Sequence, residues 1–274
     1  MADARPTITL DVVDMHTAGE PARIVVGGYP RLSGAGILDK RREALERHDH
    51  LRRAMMHEPR GHAGMYGVIP VEPSAQAKAQ GVDLACLFTH ASGYSTMCGH
   101  AAIAYARLAV ERGLVASPAN GEGIVRFGLE LPCGVVAAEA RLEKGAVVAT
   151  AFESVPAFVA EANARVELDG LGPVAYDVAF GGAFYAILPS ARLGVPFDAP
   201  LKARIAAGMK LFEAVRAQRP APIHPLEADL SFLYGVILTD EAAPPADTAN
   251  LCLFGEGQID RSPTGSGVTA RMAL

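Results

Sequence analysis

The 274-residue chain contains parts of itself twice, and this limits its fold more than any other feature. Tyr66–Ile69 and Tyr234–Ile237 both read YGVI, and Cys86–Phe88 and Cys252–Phe254 both read CLF, at offsets of 168 and 166 residues. Ten residues after each CLF comes a small polar or nucleophilic residue followed by glycine, Cys98-Gly99 and Thr264-Gly265, again 166 apart. A Gly-Gly pair precedes each YGVI, at Gly27-Gly28 and Gly181-Gly182. Several matches in one order at nearly one offset predict a duplicated supersecondary plan.

Between each Gly-Gly and its YGVI lies one helical stretch. The first, about Ile37 to Met56, is rich in Arg, Glu, Leu and Ala. The second, about Leu201 to Gln218, places Ile205, Met209, Phe212 and Val215 at helical spacing. YGVI and CLF are short apolar runs of strand character. Each half therefore reads strand, glycine turn, helix, strand, strand, then a turn that opens a second helix. The boundary falls near Val155 to Glu161, giving lobes of residues 1–157 and 158–274.

Composition narrows the function. Half the residues are hydrophobic and 20% are charged, enough apolar material for a sizeable core. With 25 Lys and Arg against 30 Asp and Glu, the formal charge is −5, the wrong sign for a nucleic-acid or anionic-membrane partner. No apolar run approaches the roughly 20 residues that span a bilayer. The N-terminal MADARPTITLDVVD is acidic where a secretory signal would be cationic and then apolar. The expectation is a soluble, cytoplasmic protein. The four cysteines, Cys86, Cys98, Cys133 and Cys252, are widely spaced without a CxxC, so neither a disulfide framework nor a zinc site is indicated.

The two second-helix starts carry the chemistry. STMCGHAAIAYARLAV offers Ser95 or Thr96 as a cap before an Ala-rich helix, and DRSPTGSGVTARMAL offers Ser262 as cap with Pro263 in the first helical position. Both expose unpaired backbone N–H groups, which attract a carboxylate. Two such ends related by pseudo-symmetry can face each other across a cleft between lobes. Cys98 then stands at a helix N-terminus, which lowers a thiol pKa. Cys86, Cys133 and Cys252 sit in apolar contexts and read as buried small hydrophobes. His100 reads either as an orienting group or as part of the first turn. Asp260 and Arg261 read either as ligand contacts or as a surface pair. Glu58, Arg60 and His62, and His16 with Glu20, read as structural ion pairing in loops rather than as metal sites.

With these residues in place, the chain resembles the proline racemase family. The matching segments are MHTAGEP (Met15–Pro21), EPRGHAGMYG (Glu58–Gly67), MCGH (Met97–His100), GGAFYA (Gly181–Ala186) and DRSPTGSGVTARMA (Asp260–Ala273), in family order along the whole chain. The resemblance implies an α/β fold of the diaminopimelate epimerase type: two pseudo-symmetric lobes, each a strand-rich layer around a central helix, starting near Cys98 and near Thr264. Family racemases and epimerases use two cysteines as base and acid on opposite faces of Cα. Here the pair is Cys98 and Thr264, which resembles the trans-3-hydroxy-L-proline dehydratase branch. A threonine hydroxyl does not readily ionise, so it is no reversible second base, whereas elimination needs only one.

The resemblance implies Cys98 and Thr264 as the catalytic pair. It implies Gly99, His100, Gly265 and Ser266 holding a substrate carboxylate, largely through backbone N–H, and Asp260 meeting the ring nitrogen. The substrate is a small amino acid, no cofactor or metal is implied, and family analogy points to a homodimer. Within the family the alternative is a 4-hydroxyproline epimerase or proline racemase; outside it, a truncated non-catalytic ligand-binding protein or a cysteine hydrolase. Two departures stand out. Ala18 replaces the usual glycine of MHTAGEP, a change expected to be tolerated. Family members also continue well past the ARMA segment, so the chain is expected to lack strands around its second central helix.

Overall fold

The computed structural model describes residues 7–240 and 245–274; of the N-terminal stretch read for charge, residues 1–6 lie outside the described residues. In chain order the elements are β1 (Asp11–Thr17), β2 (Glu20–Gly27), α1 (Ile37–Met56), β3 (Tyr66–Val71), α2 (Ala75–Ala79), β4 (Val82–His90), α3 (Gly99–Glu111), β5 (Gly123–Leu131), β6 (Gly134–Glu143) and β7 (Ala146–Glu153). They continue with β8 (Phe158–Leu168), β9 (Gly172–Phe180), β10 (Phe184–Pro189), α4 (Leu201–Gln218), β11 (Leu233–Asp240), β12 (Ala249–Phe254), β13 (Gln258–Ile259) and α5 (Gly265–Arg271). Strands β1 to β7 form one sheet in sequence order, and the second sheet runs β13-β12-β11-β10-β9-β8.

The duplication is visible in the pairing. Strands β1 and β2 are antiparallel, β2 and β3 parallel, β3 and β4 antiparallel. Strands β9 to β12 repeat that sequence of pairings. A parallel pair needs a crossover, and α1 and α4 supply it at equivalent places. The two repeated tetrapeptides begin the equivalent strands β3 and β11. One expectation is corrected. Gly27-Gly28 follows β2, whereas Gly181-Gly182 forms the turn between β9 and β10, the place occupied in the first half by Ala18-Gly19. The two Gly-Gly pairs are therefore not equivalent.

Helix character follows from burial. In α1, Ile37, Ala44, Leu51 and Met55 line one face, and in α4 Gly208, Leu211, Phe212 and Val215 do so. Helix α3 is buried nearly all round, from Gly99 to Val110. A helix apolar on every side belongs in a core, and α3 packs against β1, β2, β3, β6 and β7. Its alanines let these strands close in. Helix α5 packs on β9 and β10. It can approach because residue 181 lacks a side chain: a Cβ on Gly181 would lie 2.3 Å from both Ala270 N and Ser266 O.

One apolar cluster runs through both halves, joining Val68, Phe88, Ala101 and Leu129 to Phe180, Tyr185, Val236 and Leu253. At about 1.5–3 kcal/mol for each large apolar side chain buried, this shared core holds the two sheets in one relative position. No helix among the described residues is long and apolar enough to cross a membrane.

Candidate active site

The two central helix starts meet. A Cβ on Gly99 would lie 3.2 Å from the Gly265 Cα and 3.3 Å from the Phe152 ring, and one on Gly265 would lie 3.2 Å from the Gly99 Cα. Only glycine on each side lets two helix N-termini come this close. Their free N–H groups thus converge on one small space, lined by Tyr66, Cys98, His100, Tyr234, Asp260 and Thr264 among others. Its free volume is about 10 Å³, near the minimum that holds one water. A ligand larger than one water does not fit this space unless the walls part.

Cys98 is the N-cap of α3, with extended backbone and no side-chain capping bond. Ser95 and Thr96, expected as caps, are used elsewhere. The Ser95 hydroxyl pairs with the Tyr66 hydroxyl, and Thr96 Oγ1 donates to Gly182 O at 2.6 Å, across the halves. Cys98 is 5% exposed, with Sγ 3.3 Å from His100 Nδ1. The expected lowering of its pKa is overturned. Burial, the largest effect, pushes the Cys98 thiol well above its ordinary range, and the nearby carboxyls of Asp260 and Glu20 add to this. The Ala101 N–H of the helix end and the Tyr66 hydroxyl pull it back only in part. The helix-end effect exists, but desolvation of a thiolate outweighs it. Burial likewise holds His100 below the ordinary imidazole range.

Thr264 is the N-cap of α5, two residues later than the expected Ser262. The shift has a local cause. Ser262 Oγ accepts the Thr264 N–H at 3.0 Å, and both Ser262 N–H and Oγ–H donate to Asp260 Oδ1 at 2.9 and 2.7 Å. Ser262 thus closes the turn before the helix. Thr264 has φ 65°, in the left-handed region that a β-branched residue avoids. Its hydroxyl donates to Asp260 Oδ2 at 2.8 Å. The strained backbone and this bond together fix where the hydroxyl points.

Cys98, Gly99, His100, Asp260, Thr264, Gly265 and Ser266, all anticipated from sequence, border the one cavity. Ser266 also exchanges a 2.6 Å hydrogen bond with the buried Tyr185 hydroxyl. Arg261 does not join them. Its Nη1 donates to Gly19 O at 3.1 Å, tying the second half to the β1–β2 turn. It forms no surface pair with Asp260. The loop clusters, expected to form ion pairs, make hydrogen bonds instead. Arg60 Nε donates to Ala54 O, His62 Nδ1 accepts Gly64 N–H, and His16 Nδ1 accepts Gly19 N–H. Glu20 is buried and accepts the Arg261 N–H at 2.8 Å.

Sequence reasoning missed the aromatic wall. Tyr66 and Tyr234, first residues of the two YGVI segments, meet hydroxyl to hydroxyl at 3.4 Å. His90 stacks on Tyr66, and Phe254 stacks on Tyr234. The signal was the repeat itself: an aromatic hydroxyl at the same place in both copies can meet its counterpart across a pseudo-twofold.

Known proteins resemble this chain in sequence and in fold. The proline racemase family model matches residues 12–274. The human trans-3-hydroxy-L-proline dehydratase is 47% identical over 272 residues, covering 98% of this chain and 75% of that protein. The enzyme of the same name from Colwellia psychrerythraea is 42% identical, covering 97% of this chain and 74% of its own length. Among solved structures, a probable proline racemase from Agrobacterium radiobacter with bound carbonate superposes with a TM-score of 0.87 at 25% identity, over 97% of this chain and 76% of its own. With the duplicated sheets, the facing helix starts and a match that runs almost from end to end, the chain belongs to the proline racemase family.

Proposed function

We propose that the protein is a cofactor-independent hydro-lyase that converts trans-3-hydroxy-L-proline to pyrroline-2-carboxylate. The observation that carries this reading is the asymmetry of the two facing helix starts. One presents a thiol at Cys98; the other presents, at Thr264, a hydroxyl already committed to Asp260. The identity to enzymes of that name supports the same assignment.

The substrate carboxylate lies at the joined helix ends, on the N–H groups of Gly99, His100, Gly265 and Ser266, where unpaired donors and aligned helix dipoles favour an anion. Asp260 meets the ring ammonium. Burial does most to raise the Cys98 thiol, and this cation offsets the smaller contribution of the two carboxyls, which favours the thiolate. Cys98 takes the Cα proton. The electron pair left at Cα forms the Cα–C3 double bond as the C3–O bond breaks, and the hydroxide leaves as water with the proton that Cys98 took from Cα, which regenerates the thiolate. The enamine then shifts a proton from nitrogen to C3 and becomes the cyclic imine. In the trans isomer the Cα hydrogen and the 3-hydroxyl share a ring face, so one flank suffices. Thr264, on the other flank, has a hydroxyl that does not ionise near neutral pH and so is no second base, which disfavours racemisation.

We further propose that residues 1–157 and 158–274 act as the two lobes, whose separation admits the ring, that the protein works in the cytoplasm, and that it does so as a homodimer. The test is an assay of purified protein with trans-3-hydroxy-L-proline, trapping the imine with o-aminobenzaldehyde, beside trans-4-hydroxy-L-proline followed by chiral chromatography. Imine from the first substrate alone is expected. Epimerised 4-hydroxyproline without imine overturns the reading.

A further inference from the structure

Ser92 and Gln258 are 166 residues apart, the offset that also relates Cys98 to Thr264, and their side chains are hydrogen-bonded. Tyr66 and Tyr234 likewise meet as counterparts, and Gly99 faces Gly265. Residues meet their own equivalents only near a twofold axis, so these three pairs mark the axis that relates the halves. The tyrosine and glycine pairs line the catalytic cavity. Ser92 is exposed and Gln258 partly so, which makes their pair the solvent end of the column.

Gln258 reaches further into the first half. Its Nε2 donates to Ala63 O, in the loop before Tyr66. Its Oε1 accepts the Ser92 hydroxyl at 3.0 Å and lies 3.1 Å from Nδ1 of the buried His90. His90 stacks on Tyr66, with ring centroids 5.6 Å apart, and meets Tyr234 edge-on at 6.0 Å. One side chain of the second half thus holds both segments that carry the Tyr66 wall of the cavity. Both of its hydrogen bonds lie at the surface, where water replaces a lost partner, whereas the cross-half bond from Thr96 to Gly182 O is buried. The surface bonds therefore cost the least to break. Tyr234 also has room to move: it lines a surface cavity of about 530 Å³ shared with His90, Ser92 and Gly255.

We propose that Gln258 is a latch: a positioning residue that holds His90 and Tyr66 against Tyr234 in the shut site, and whose release lets the halves part at the outer end of the axis. The test is hydrogen exchange of ligand-free protein, read by mass spectrometry. The first-turn amides of Gly99, His100, Gly265 and Ser266 have no acceptor within their helices, so it is the shutting of the site that slows them. Gln258→Met keeps the length and bulk of the side chain and removes both bonds. Exchange in peptides covering residues 97–101 and 264–268 should rise about tenfold, while strands β4 and β12 exchange as before. Ser92→Ala removes one bond and should give about a threefold rise. Unchanged exchange at the helix starts, or an equal rise in the strands, overturns the latch.

A second measurement rests on the function proposed above. With trans-3-hydroxy-L-proline, Gln258→Met should raise KM about tenfold and leave kcat within about threefold, because the shut form is less populated and bound substrate restores it. A fall in kcat with KM unchanged places Gln258 in the chemistry and overturns the latch. If neither protein turns the substrate over, the function assignment fails, and exchange at the helix starts still decides the latch.

Discussion

The α3 and α5 starts are built alike and behave differently. Each is a helix capped by the tenth residue after a CLF strand, followed by a glycine that touches its counterpart. At α3 the cap residue has ordinary extended backbone and a thiol free of any capping duty. At α5 the cap residue carries φ 65°, and its hydroxyl is tied to a carboxylate. The duplicated architecture supplies two facing helix starts, while side-chain choice puts a thiol on one flank and a hydroxyl bonded to a carboxyl on the other. Symmetry of the backbone does not impose symmetry of chemistry.

The largest test of that contrast is Cys98→Ser. Imine formation should fall by about 10²–10⁴ because a serine hydroxyl is a far poorer base, with the thermal midpoint little changed. Turnover near wild type would remove Cys98 from the base role. Thr264→Cys attacks the same contrast from the other side. It makes both flanks thiols, so deuterium from solvent should enter Cα of L-proline, detected by mass spectrometry; no exchange would mean residue 264 is not what separates elimination from racemisation.

A third test concerns the aromatic wall, where the first half carries an ionisable ring, His90, against Phe254 of the second. Burial, the main cause, pulls the His90 imidazole down to about 4, with smaller contributions from Arg52 and Arg41. The unfolded chain then takes a proton near pH 6.5 that the folded one refuses until about pH 4, so stability is lost as pH falls through this window. The loss is at most about 3 kcal/mol. Urea midpoints measured from pH 7 to 4 should fall in the wild type and less steeply in His90→Asn.

Smaller effects follow from the glycine contact. Gly99→Ala places a methyl group 3.2 Å from the Gly265 Cα. The helix ends must move apart by a few tenths of an ångström, which should cost about 1–3 kcal/mol and raise KM more than it lowers kcat, because the carboxylate cradle widens. Smallest of all is Ala18→Gly. Ala18 sits at φ 50°, in the turn where the second half uses Gly181-Gly182. Glycine there relieves a left-handed alanine and should raise stability by up to about 1 kcal/mol; a lowered thermal midpoint would refute the strain.

The order of elements was legible from sequence because it depends on local period and on the repeated segments. Helices α1 and α4 occupy the stretches 37–56 and 201–218 read from composition and spacing. The candidate pair Cys98 and Thr264 emerged from equal spacing after CLF, and family resemblance supplied their partners. The added strands β5 to β7 and the short α2 carried no repeat signal and went unread.

What the sequence determined by itself is thus the duplication and the residue types at the two helix starts, since both are written in one dimension. What only the tertiary structure decided is the charge state of the site. The sequence places Cys98 at a helix end and predicts a lowered thiol pKa; the fold surrounds it with apolar neighbours and two carboxyls, and the outcome reverses. Glu20 and Arg261 are 241 residues apart in the chain and meet only when β2 packs against the loop before α5. Desolvation and Coulomb interaction depend on what surrounds a group in space, and no local pattern of residues encodes that surrounding.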